Sequence, residues 1–223
     1  MYTNLNFYSE ENATPKHVAI IPDGGRRWAR QHGVTYKEAY LASIKKIVDL
    51  LEELYRNEIQ YVSLYFASAF NFFRNKYEID SFYEASTEGI LRDLVPFSQN
   101  KKVTIKIVGY RDEQYKMPEK ELVSFKTNRK LFICFNYNSF DEIESAFCKK
   151  GDSKESFVNY LDIPYPVDIL IRTGGAQTLS GFLLPQLAFS RLFFLEKLFN
   201  DLTLEDVQNI LITYKRYNLK YGE

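Results

Sequence analysis

Short apolar runs with the character of buried strands alternate in this chain with longer segments of helical periodicity. The strand-like runs lie at 17–23, 61–68, 103–109, 129–137, 167–175 and 191–199. The helical segments lie at 37–56, 78–97 and 140–150, and a capping pair, Thr203 and Asp206, opens a last helix. Strands that alternate with helices form mostly parallel sheets covered by helices. The sequence therefore predicts an α/β fold with a mostly parallel, six-stranded sheet.

The chain shows no internal repeat, low-complexity tract or linker that would divide it. We therefore expect a single domain from residue 17 to residue 223, preceded by an N-terminal extension, 1–16. Within the helical segment 78–97, Pro96 is expected to end the helix, because proline cannot continue the hydrogen-bond ladder.

Bulk composition argues against several classes of function. Lys plus Arg number 29 and Asp plus Glu also number 29, so no net charge draws the chain to nucleic acid or to an anionic membrane. The two cysteines suit a reducing compartment. No apolar run approaches the roughly 20 residues that span a bilayer, and the N-terminus does not resemble a signal peptide. We expect a cytoplasmic protein with at most peripheral membrane contact.

Three predicted strands end in unusual polar residues. These are DGGRR at 23–27, the segment 68–74, and RTGG at 172–175. Ligands of parallel sheets bind at the carboxyl ends of the strands, so we expect these three groups to surround one site. Each glycine–arginine turn suits an anionic group, and together they suggest two phosphorylated substrates side by side.

The first of these turns carries the strongest chemical signal. Asp23 either caps a helix or binds a hard cation such as Mg²⁺. The two glycines after it allow backbone N–H groups to approach a ligand, and a helix beginning near Arg26 would point its dipole at the same place. Arg26, Arg27 and Arg30 can add charge-assisted hydrogen bonds to phosphate. Their helical spacing predicts that at least one of them is solvated.

The segment 68–74 places polar residues among aromatic ones. Ser68, Asn71 and Arg74 alternate with phenylalanines that either form an apolar lid or pack onto the core. Aromatic residues make up 16% of the chain, which fits either an aromatic-walled cavity or simply a bulky core. Spacing and composition leave both possibilities open.

Four motifs, taken in order, resemble the cis-prenyltransferase family, the Z-type isoprenyl diphosphate synthases that include undecaprenyl diphosphate synthase. HVAIIPDGGRRWA at 17–29 is similar to the family's opening strand and its D-G-N-x-R-W turn. YFASAFNFFR at 65–74 resembles Y-A-F-S-x-x-N-W-x-R, and CFNY at 134–137 resembles a strand ending in N-Y. DILIRTGGAQTLSGFLLPQ at 168–186 resembles the I-R-T-G-G block. The resemblance runs from His17 to about Tyr217.

The resemblance implies a chemistry and an assembly. An allylic diphosphate loses pyrophosphate with the help of Mg²⁺, and a second isoprenoid diphosphate captures the carbocation and then loses a proton. The growing chain is expected to occupy a hydrophobic tunnel between the sheet and the helices, and the protein is expected to form a homodimer.

Residue roles follow by position. The catalytic residues implied are Asp23, which would also hold Mg²⁺, and Ser68, Asn71 and Arg74. The diphosphate-binding residues implied or inferred are Gly24, Gly25, Arg26, Arg27, Arg172, Ser180 and Arg191. The expected walls of the hydrophobic site are Trp28, Phe70, Phe72, Phe82 and Tyr83.

Several positions depart from the family pattern. Gly25 stands where asparagine is usual, and Tyr36 and Tyr40 stand where an arginine and a histidine bind the first diphosphate. Thr178 replaces the second arginine of the second site, and Arg191 replaces a metal-binding glutamate. The last change reverses a charge, which is worth several kcal/mol in order of magnitude at short range. Arg191 therefore either binds the second diphosphate directly or turns away into a structural contact.

Apart from Arg191, which differs from this pattern too, these departures resemble a branch of the family, the lavandulyl-type synthases, which join two dimethylallyl units head-to-middle. The likeness lies in DGGRRWARQHGVTYKEAY at 23–40 and KRYNLKY at 215–221. We expect an active synthase with a short product, C10–C20, because bulky Phe82 and Tyr83 would block chain extension if they face the tunnel. The sequence is also compatible with a terpene synthase that cyclises a prenyl diphosphate and with a non-catalytic partner subunit of a prenyltransferase.

Overall fold

The computed structural model of the protein describes residues 14–68, 75–109 and 121–216. The strands are β1 His17–Ile21, β2 Tyr61–Tyr65, β3 Thr104–Val108, β4 Glu121–Val123, β5 Lys130–Cys134, β6 Ile169–Arg172 and β7 Arg191–Phe194. The helices are α1 Gly25–His32, α2 Tyr36–Arg56, α3 Lys76–Gly89, α4 Val95–Lys101, α5 Ser139–Lys150 and α6 Leu204–Arg216. A π-helical turn, Ile90–Leu94, joins α3 to α4. Short 3₁₀ turns occupy Phe157–Tyr160 and Phe199–Asp201.

The strands form one sheet in the order β4-β3-β5-β2-β1-β6-β7. The six predicted strands are confirmed, and every pairing is parallel except that of β3 with β4. The predicted count of six was wrong by one strand. β4 has three residues and lies at the sheet edge, and so short a segment shows no periodicity from which it could be recognised.

Neighbouring parallel strands bring distant parts of the sequence together at their carboxyl ends, on one side of the sheet. β1 lies between β2 and β6, and Ile21 pairs with Arg172. The turns that follow β1 and β6 therefore begin side by side. Beyond the end of β2, Ser68 forms an isolated parallel bridge with Tyr137.

The sheet separates two apolar cores. Along β1, Val18 and Ile20 belong to the core beneath α2 and α6, whereas Ala19 and Ile21 belong to the core on the opposite face. This arrangement follows from the two-residue period of a strand. Residues of α2 and α6 cover one face, and residues of the segments 163–167 and 179–187 pack on the other. The central strands are consequently rigid supports for the residues at their ends.

Two predicted helix boundaries have different outcomes. The prediction that Pro96 ends its helix was wrong, since α4 continues to Lys101. The Val95 N–H donates to the Ile90 carbonyl with π-helical spacing, and this wider turn accommodates the proline ring in the first turn of α4. The capping pair of the last helix is confirmed, because the Asp206 N–H donates to Thr203 Oγ1 at 3.2 Å and Asp206 accepts from the Thr203 N–H at 2.9 Å.

In the described part of the chain, no helix combines the length and the apolar character needed to cross a membrane. The division between residues 1–16 and the domain that follows stays a prediction.

His17, the first residue of β1, is expected to make folding stability depend on pH. Its ring is fully buried, with Nε2 2.8 Å from Ser63 Oγ, and desolvation lowers the pKa of His17 from 6.5 to about 4. Between these values the unfolded chain binds a proton that the folded chain does not, so stability falls as the pH drops from 6.5 towards 4. The loss should reach roughly 3 kcal/mol.

Urea unfolding of the wild type and of His17→Gln at pH 7 and pH 4.5 measures this contribution. The wild type should lose more stability than the variant over this range. The nearby Asp168, which accepts the His17 N–H at 2.9 Å, is present in both proteins and cancels in the comparison. Equal pH dependence of the two proteins would refute the assignment.

Candidate active site

A cavity of about 430 Å³ opens where β1, β2 and β6 end, beside α1, α2 and α3. Its polar lining residues include Asp23, Gly24, Gly25, Arg26, Arg27, Arg30, Ser68, Arg172 and Ser180. Its apolar and aromatic lining residues include Ile44, Ile47, Phe66, Tyr65, Tyr40 and Phe82. The cavity thus combines a cationic region with apolar walls. Most of the site residues predicted from the sequence line it, at the carboxyl ends of β1, β2 and β6.

The first turn of α1 exposes backbone donors to this cavity. Gly24 is the N-cap, with φ +110°, and no side chain in the described part of the chain caps the helix. A Cβ at Gly24 would lie 2.8 Å from Leu198 Cδ2, so both the backbone conformation and the close packing require glycine. The first N–H groups of α1 have no intrahelical partners, and the positive end of its dipole faces the same region. The helix terminus can therefore bind an anion.

Asp23 joins the two strand-end turns. Its carboxylate accepts from Arg172 Nη2 at 3.2 Å and pairs with Arg27 Nη2 at 3.5 Å. Its backbone N–H donates to Thr173 Oγ1 at 3.0 Å, and the same hydroxyl donates to the Asp23 carbonyl at 2.8 Å. Because Gly24 is the N-cap, the possibility that Asp23 caps the helix is excluded. Its carboxylate, 36% exposed, faces the cavity.

Arg172 is held in one orientation at the end of β6. Its side chain is 8% exposed, and Nη1 donates to Ser180 Oγ at 2.8 Å and to Thr178 Oγ1 at 3.0 Å. Nη1 also donates to the Thr178 carbonyl. Ser180 has φ +51°, and the Tyr65 hydroxyl donates to its carbonyl at 2.9 Å. The guanidinium is therefore preorganised before any ligand binds.

The two other predicted arginines of α1 reach the cavity by different routes. Arg27 donates to the Gly174 carbonyl at 2.9 Å, which places it against the second turn. Arg26 forms an ion pair with Glu78 of α3 at 2.8 Å. Arg27 and Arg30 are exposed to solvent although both border the cavity, in line with the prediction that at least one of the three arginines is solvated.

Of the two bulky residues predicted on α3, the cavity is lined by one. The ring of Phe82 borders it, stacks on Phe135 at 5.7 Å and meets Tyr40 edge-on at 5.1 Å. The ring of Tyr83 packs edge-on against Phe135 at 4.9 Å and does not border the cavity. Adjacent helical residues point about 100° apart, so both could not face the same space.

Two predicted site residues lie elsewhere. Trp28 donates from Nε1 to Asp201 Oδ1 at 2.9 Å, and its ring stacks on His32 at 4.0 Å, outside the cavity lining. Arg191 begins β7 opposite Ile169, whereas Arg172 pairs with Phe194 at the other end of the strand. Three residues of strand separate these ends by about 10 Å.

Arg191 makes a structural contact instead. Its guanidinium donates to the Tyr214 carbonyl and lies 4.5 Å from the centre of the Tyr214 ring. Of the two roles that the sequence allows for Arg191, this arrangement matches the structural one, because the side chain is anchored to α6 at the amino end of its strand.

The remaining predicted residues divide between the cavity and the undescribed part of the chain. Ser68 borders the cavity at the end of β2. Asn71, Arg74, Phe70 and Phe72 lie outside the described residues, so their placement stays a prediction.

Several lining residues were not predicted from the sequence. Ile44 and Ile47 belong to the apolar stripe of α2, which the helical periodicity shows, but nothing in it indicates that part of the stripe faces a cavity. Tyr65 is the last residue of β2, and burial raises its pKa well above the usual tyrosine range. Its hydroxyl therefore remains protonated and acts as a donor. In the sequence, Tyr65 stands just before the predicted site segment 68–74, and this position was the signal from which its place in the site could have been predicted.

The donor set limits what metal can bind. Among the described residues, no group of three or more His, Cys, Asp or Glu side chains could hold a metal ion. Asp23 is the one carboxylate among the described residues that line the cavity. Mg²⁺ typically takes one or two protein carboxylates and completes its shell with substrate phosphates and water, so Asp23 fits this ion when a phosphorylated ligand is also present.

Comparisons with known proteins agree on one group of relatives. The model of a family described as “Putative undecaprenyl diphosphate synthase” matches residues 21–222. An isoprenyl transferase from Rickettsia prowazekii (strain Madrid E) is 32% identical over 94% of this chain and 99% of the relative. An isoprenyl transferase from Campylobacter jejuni (strain RM1221) is 32% identical over 93% of this chain and 98% of the relative.

Two experimental structures share the fold. Lavandulyl diphosphate synthase from Lavandula x intermedia, in complex with dimethylallyl diphosphate, superposes with a TM-score of 0.80 at 24% identity, over 94% of this chain and 99% of that one. A probable undecaprenyl diphosphate synthase from Campylobacter jejuni superposes with a TM-score of 0.73 at 24% identity, over 95% of this chain and 100% of that one. They confirm the predicted fold class.

Proposed function

Because this chain belongs to the undecaprenyl diphosphate synthase family of isoprenyl transferases, we propose that it makes a short isoprenoid diphosphate of C10–C20. The observation that carries this proposal is the convergence of three features on one cavity. These features are the Asp23 carboxylate, the uncapped start of α1 and the preorganised Arg172. Enzymes of this family transfer prenyl groups.

The start of α1 is proposed to bind the allylic diphosphate. The residues at the start of α1 line the cavity, so their unpaired N–H groups are available there, and Arg26 and Arg27 add positive charge beside them. These donors are fixed before substrate binds, so they stabilise the charge that develops on the departing pyrophosphate without reorganisation. The C–O bond breaks, pyrophosphate takes the electron pair, and the allylic carbocation remains.

Asp23 is proposed to hold Mg²⁺ together with the diphosphate oxygens of the substrate. When bound, the ion supplies charge neutralisation for the leaving group. Asp23 stands between Arg27 and Arg172, so its carboxylate adjoins both of the proposed diphosphate positions.

The end of β6 is proposed to bind the second diphosphate. Arg172 is buried and aligned by Ser180 and Thr178, and salt screens its charge less than it would screen that of an exposed arginine. The double bond of the second substrate then attacks the carbocation, and a proton leaves the new adduct. The predicted roles of Ser68 near the reacting carbons and of Asn71 and Arg74 are part of this proposal.

The apolar part of the cavity is proposed to limit product length. Its volume of about 430 Å³ lies in the lower part of the range for small-molecule sites, roughly 300–1,000 Å³. Phe82, Ile44 and Ile47 bound the space available to hydrocarbon. These walls also exclude water from a carbocation.

Phe82→Ala is expected to lengthen the product by at least one C5 unit, because it removes a ring from the cavity wall. Chromatography with mass spectrometry of the products measures this. Tyr83→Ala is the matched control: it removes a ring from the adjacent position outside the cavity lining, and its product length should stay that of the wild type. Longer products from Tyr83→Ala but not from Phe82→Ala would contradict this part of the proposal.

Gly174→Ala is expected to weaken catalysis by displacing Arg27. Gly174 has φ +82°, and an added Cβ would lie 2.5 Å from Arg27 Nη2 and 3.3 Å from Asp23 Cβ. We expect a stability loss of about 1–2 kcal/mol and a fall in kcat/KM of roughly tenfold. Steady-state kinetics and thermal unfolding measure the two effects.

Gly33→Ala provides the control for Gly174→Ala. Gly33 also has a positive φ, +66°, but among the described residues, apart from its chain neighbours and its own helix backbone, no atom lies within 4 Å of an added Cβ. It should lose similar stability while retaining wild-type kcat/KM. If the two variants have equal kcat/KM, the placement of Arg27 does not matter for turnover.

Irregular, head-to-middle coupling of dimethylallyl diphosphate is the form of the reaction that we propose. Its support is the likeness of residues 23–40 to the lavandulyl-type branch. Incubation with dimethylallyl diphosphate alone, with isopentenyl diphosphate alone and with both, with and without Mg²⁺, tests this. A branched C10 diphosphate from dimethylallyl diphosphate alone supports irregular coupling, whereas product only from the mixture means regular elongation.

The same assay distinguishes a synthase from a terpene cyclase and from a non-catalytic partner subunit. A cyclic hydrocarbon or alcohol from a prenyl diphosphate would identify a terpene synthase. Failure to release pyrophosphate from every allylic substrate of C5–C20, with retained binding to another prenyltransferase, would favour the partner subunit.

The predicted homodimer and cytoplasmic location also remain proposals. In the sheet order β7 is an edge strand, and its Leu192 is 43% exposed, which leaves an apolar strand edge for a second copy. Nucleic acid is not among the partners that we propose, given the balanced charge of the chain.

A further inference from the structure

One of the four arginines at the cavity forms no ion pair with a carboxylate in the described part of the chain. The other three do so, Arg26 with Glu78 at 2.8 Å, Arg27 with Asp23 at 3.5 Å and Arg172 with Asp23 at 3.2 Å. The remaining one is Arg30, and its hydrogen bond is to a neutral group, the Tyr36 hydroxyl, at 3.4 Å. A guanidinium at a cavity without a paired counterion is available to an anionic ligand.

Arg30 lies on the same side of α1 as the proposed diphosphate contacts. It follows Arg26 by four residues and Arg27 by three, and such spacings place side chains next to one another on a helix. It lies about 6 Å further along the helix axis than Arg26. Its side chain can therefore reach an anion that extends outward from the start of α1, such as the second phosphate group of a diphosphate.

Tyr36 has a fixed position from which to orient Arg30. It is the first residue of α2, directly after the N-cap Thr35. A capping box fixes this helix start, because the Glu38 N–H donates to Thr35 Oγ1 at 3.2 Å and Glu38 accepts from the Thr35 N–H at 2.8 Å. The Tyr36 hydroxyl accepts from Arg30 Nη2, which restrains a side chain that is otherwise free in solvent. Restraint before binding lowers the entropy lost on binding.

We propose that Arg30 binds the outer phosphate group of the allylic diphosphate and that Tyr36 is a positioning residue that holds its guanidinium at the cavity. This inference rests on the proposed function, since it assigns a further contact in the same site. The contact is bidentate, because a planar guanidinium presents two parallel N–H donors to phosphate oxygens.

Titration of inorganic pyrophosphate into the purified protein by calorimetry, with and without Mg²⁺, tests the role of Arg30. Arg30→Gln should weaken pyrophosphate binding by about tenfold to a hundredfold. Arg30→Lys should restore part of the loss, because it keeps the charge but lacks the fork. The control Arg129→Gln removes the same charge just before β5, at the opposite end of the sheet, and should bind as the wild type does.

A double-mutant cycle tests Tyr36. Tyr36→Phe should weaken pyrophosphate binding a few-fold, and the double variant Arg30→Gln with Tyr36→Phe should bind no more weakly than Arg30→Gln alone. If the two substitutions reduce the free energy of pyrophosphate binding by independent, additive amounts, the positioning role is overturned. A Tyr36→Phe variant that loses thermal stability but binds pyrophosphate normally would overturn it too.

The outcomes separate this inference from the proposed function. If the wild type turns over dimethylallyl diphosphate and Arg30→Gln binds pyrophosphate as tightly as the wild type, the Arg30 inference fails and the proposed function stands. If the wild type neither binds pyrophosphate nor turns over an allylic diphosphate, both fail.

Discussion

Asp23→Asn is expected to lower kcat/KM for the allylic diphosphate by about a thousandfold. The substitution keeps the shape of the side chain but removes the single carboxylate among the described residues of the cavity lining. Mg²⁺ would then lose its protein ligand, and the charge of the leaving pyrophosphate would be stabilised less. Loss of one fixed electrostatic contact to a developing charge typically costs about a hundredfold to a thousandfold, and loss of the metal contact places this case at the upper end.

Steady-state release of pyrophosphate over a range of Mg²⁺ concentrations measures the effect. Because Arg172 loses its anionic partner in Asp23→Asn, thermal unfolding of the variant must show that it is folded at the assay temperature. Asp49→Asn, on the exposed side of α2, is the control for the substitution itself and should retain wild-type activity. If a folded Asp23→Asn keeps full activity, the proposed mechanism is wrong.

Arg172→Gln is expected to raise KM for the second diphosphate by about a hundredfold, with a smaller effect on KM for the allylic one. Arg172 is buried, and three hydrogen bonds fix its Nη1 group against Ser180 and Thr178. Hydrogen bonds to a charged group contribute about 1.5–3 kcal/mol, which corresponds to an effect of this size. Because dimethylallyl diphosphate fills both sites in the proposed coupling, initial rates measured over a wide range of its concentration give the two KM values.

Two related variants sharpen the test of Arg172. Arg172→Lys keeps the charge without the planar fork, so it should recover only part of the loss. Ser180→Ala removes the acceptor 2.8 Å from Nη1, and it should raise the same KM by a smaller factor, roughly tenfold. Equal increases in both KM values for Arg172→Gln would mean that Arg172 does not distinguish the two diphosphates.

The sequence predicted the strands well because each lies in a run whose apolar character is local. It could not predict the short edge strand β4, where three residues pair only because β3 is adjacent. Nor could it predict that the helix continues past Pro96, because α4 accommodates this proline only after the π-helical turn that precedes it. Local patterns identify elements, and the exceptions depend on structural neighbours that a local pattern does not contain.

The candidate site could be predicted to the level of its strand ends. The proximity of Asp23 and Arg172 depends on β1 lying next to β6, a relation across 149 residues that spacing alone does not reveal. Arg191 shows the opposite case. The run 191–199 was recognised as a strand, but the sequence did not show which end of β7 lies beside Arg172.

Side-chain direction on the helices was also beyond the sequence. Trp28 stacks on His32 and not on the cavity because the start of α1 at Gly25 fixes the rotation of the helix. In the same way, Phe82 faces the cavity while Tyr83 does not. Both outcomes depend on the phase of a helix relative to the sheet, which packing decides.

A crystal structure of the protein with Mg²⁺ and an unreactive thiolo analogue of dimethylallyl diphosphate would test the proposed site at the level of atoms. We expect the diphosphate to lie at the start of α1, the metal to join it to Asp23, and the hydrocarbon to extend towards Phe82. A ligand bound outside this cavity, or a diphosphate that contacts neither Asp23 nor the first turn of α1, would contradict the proposed binding mode.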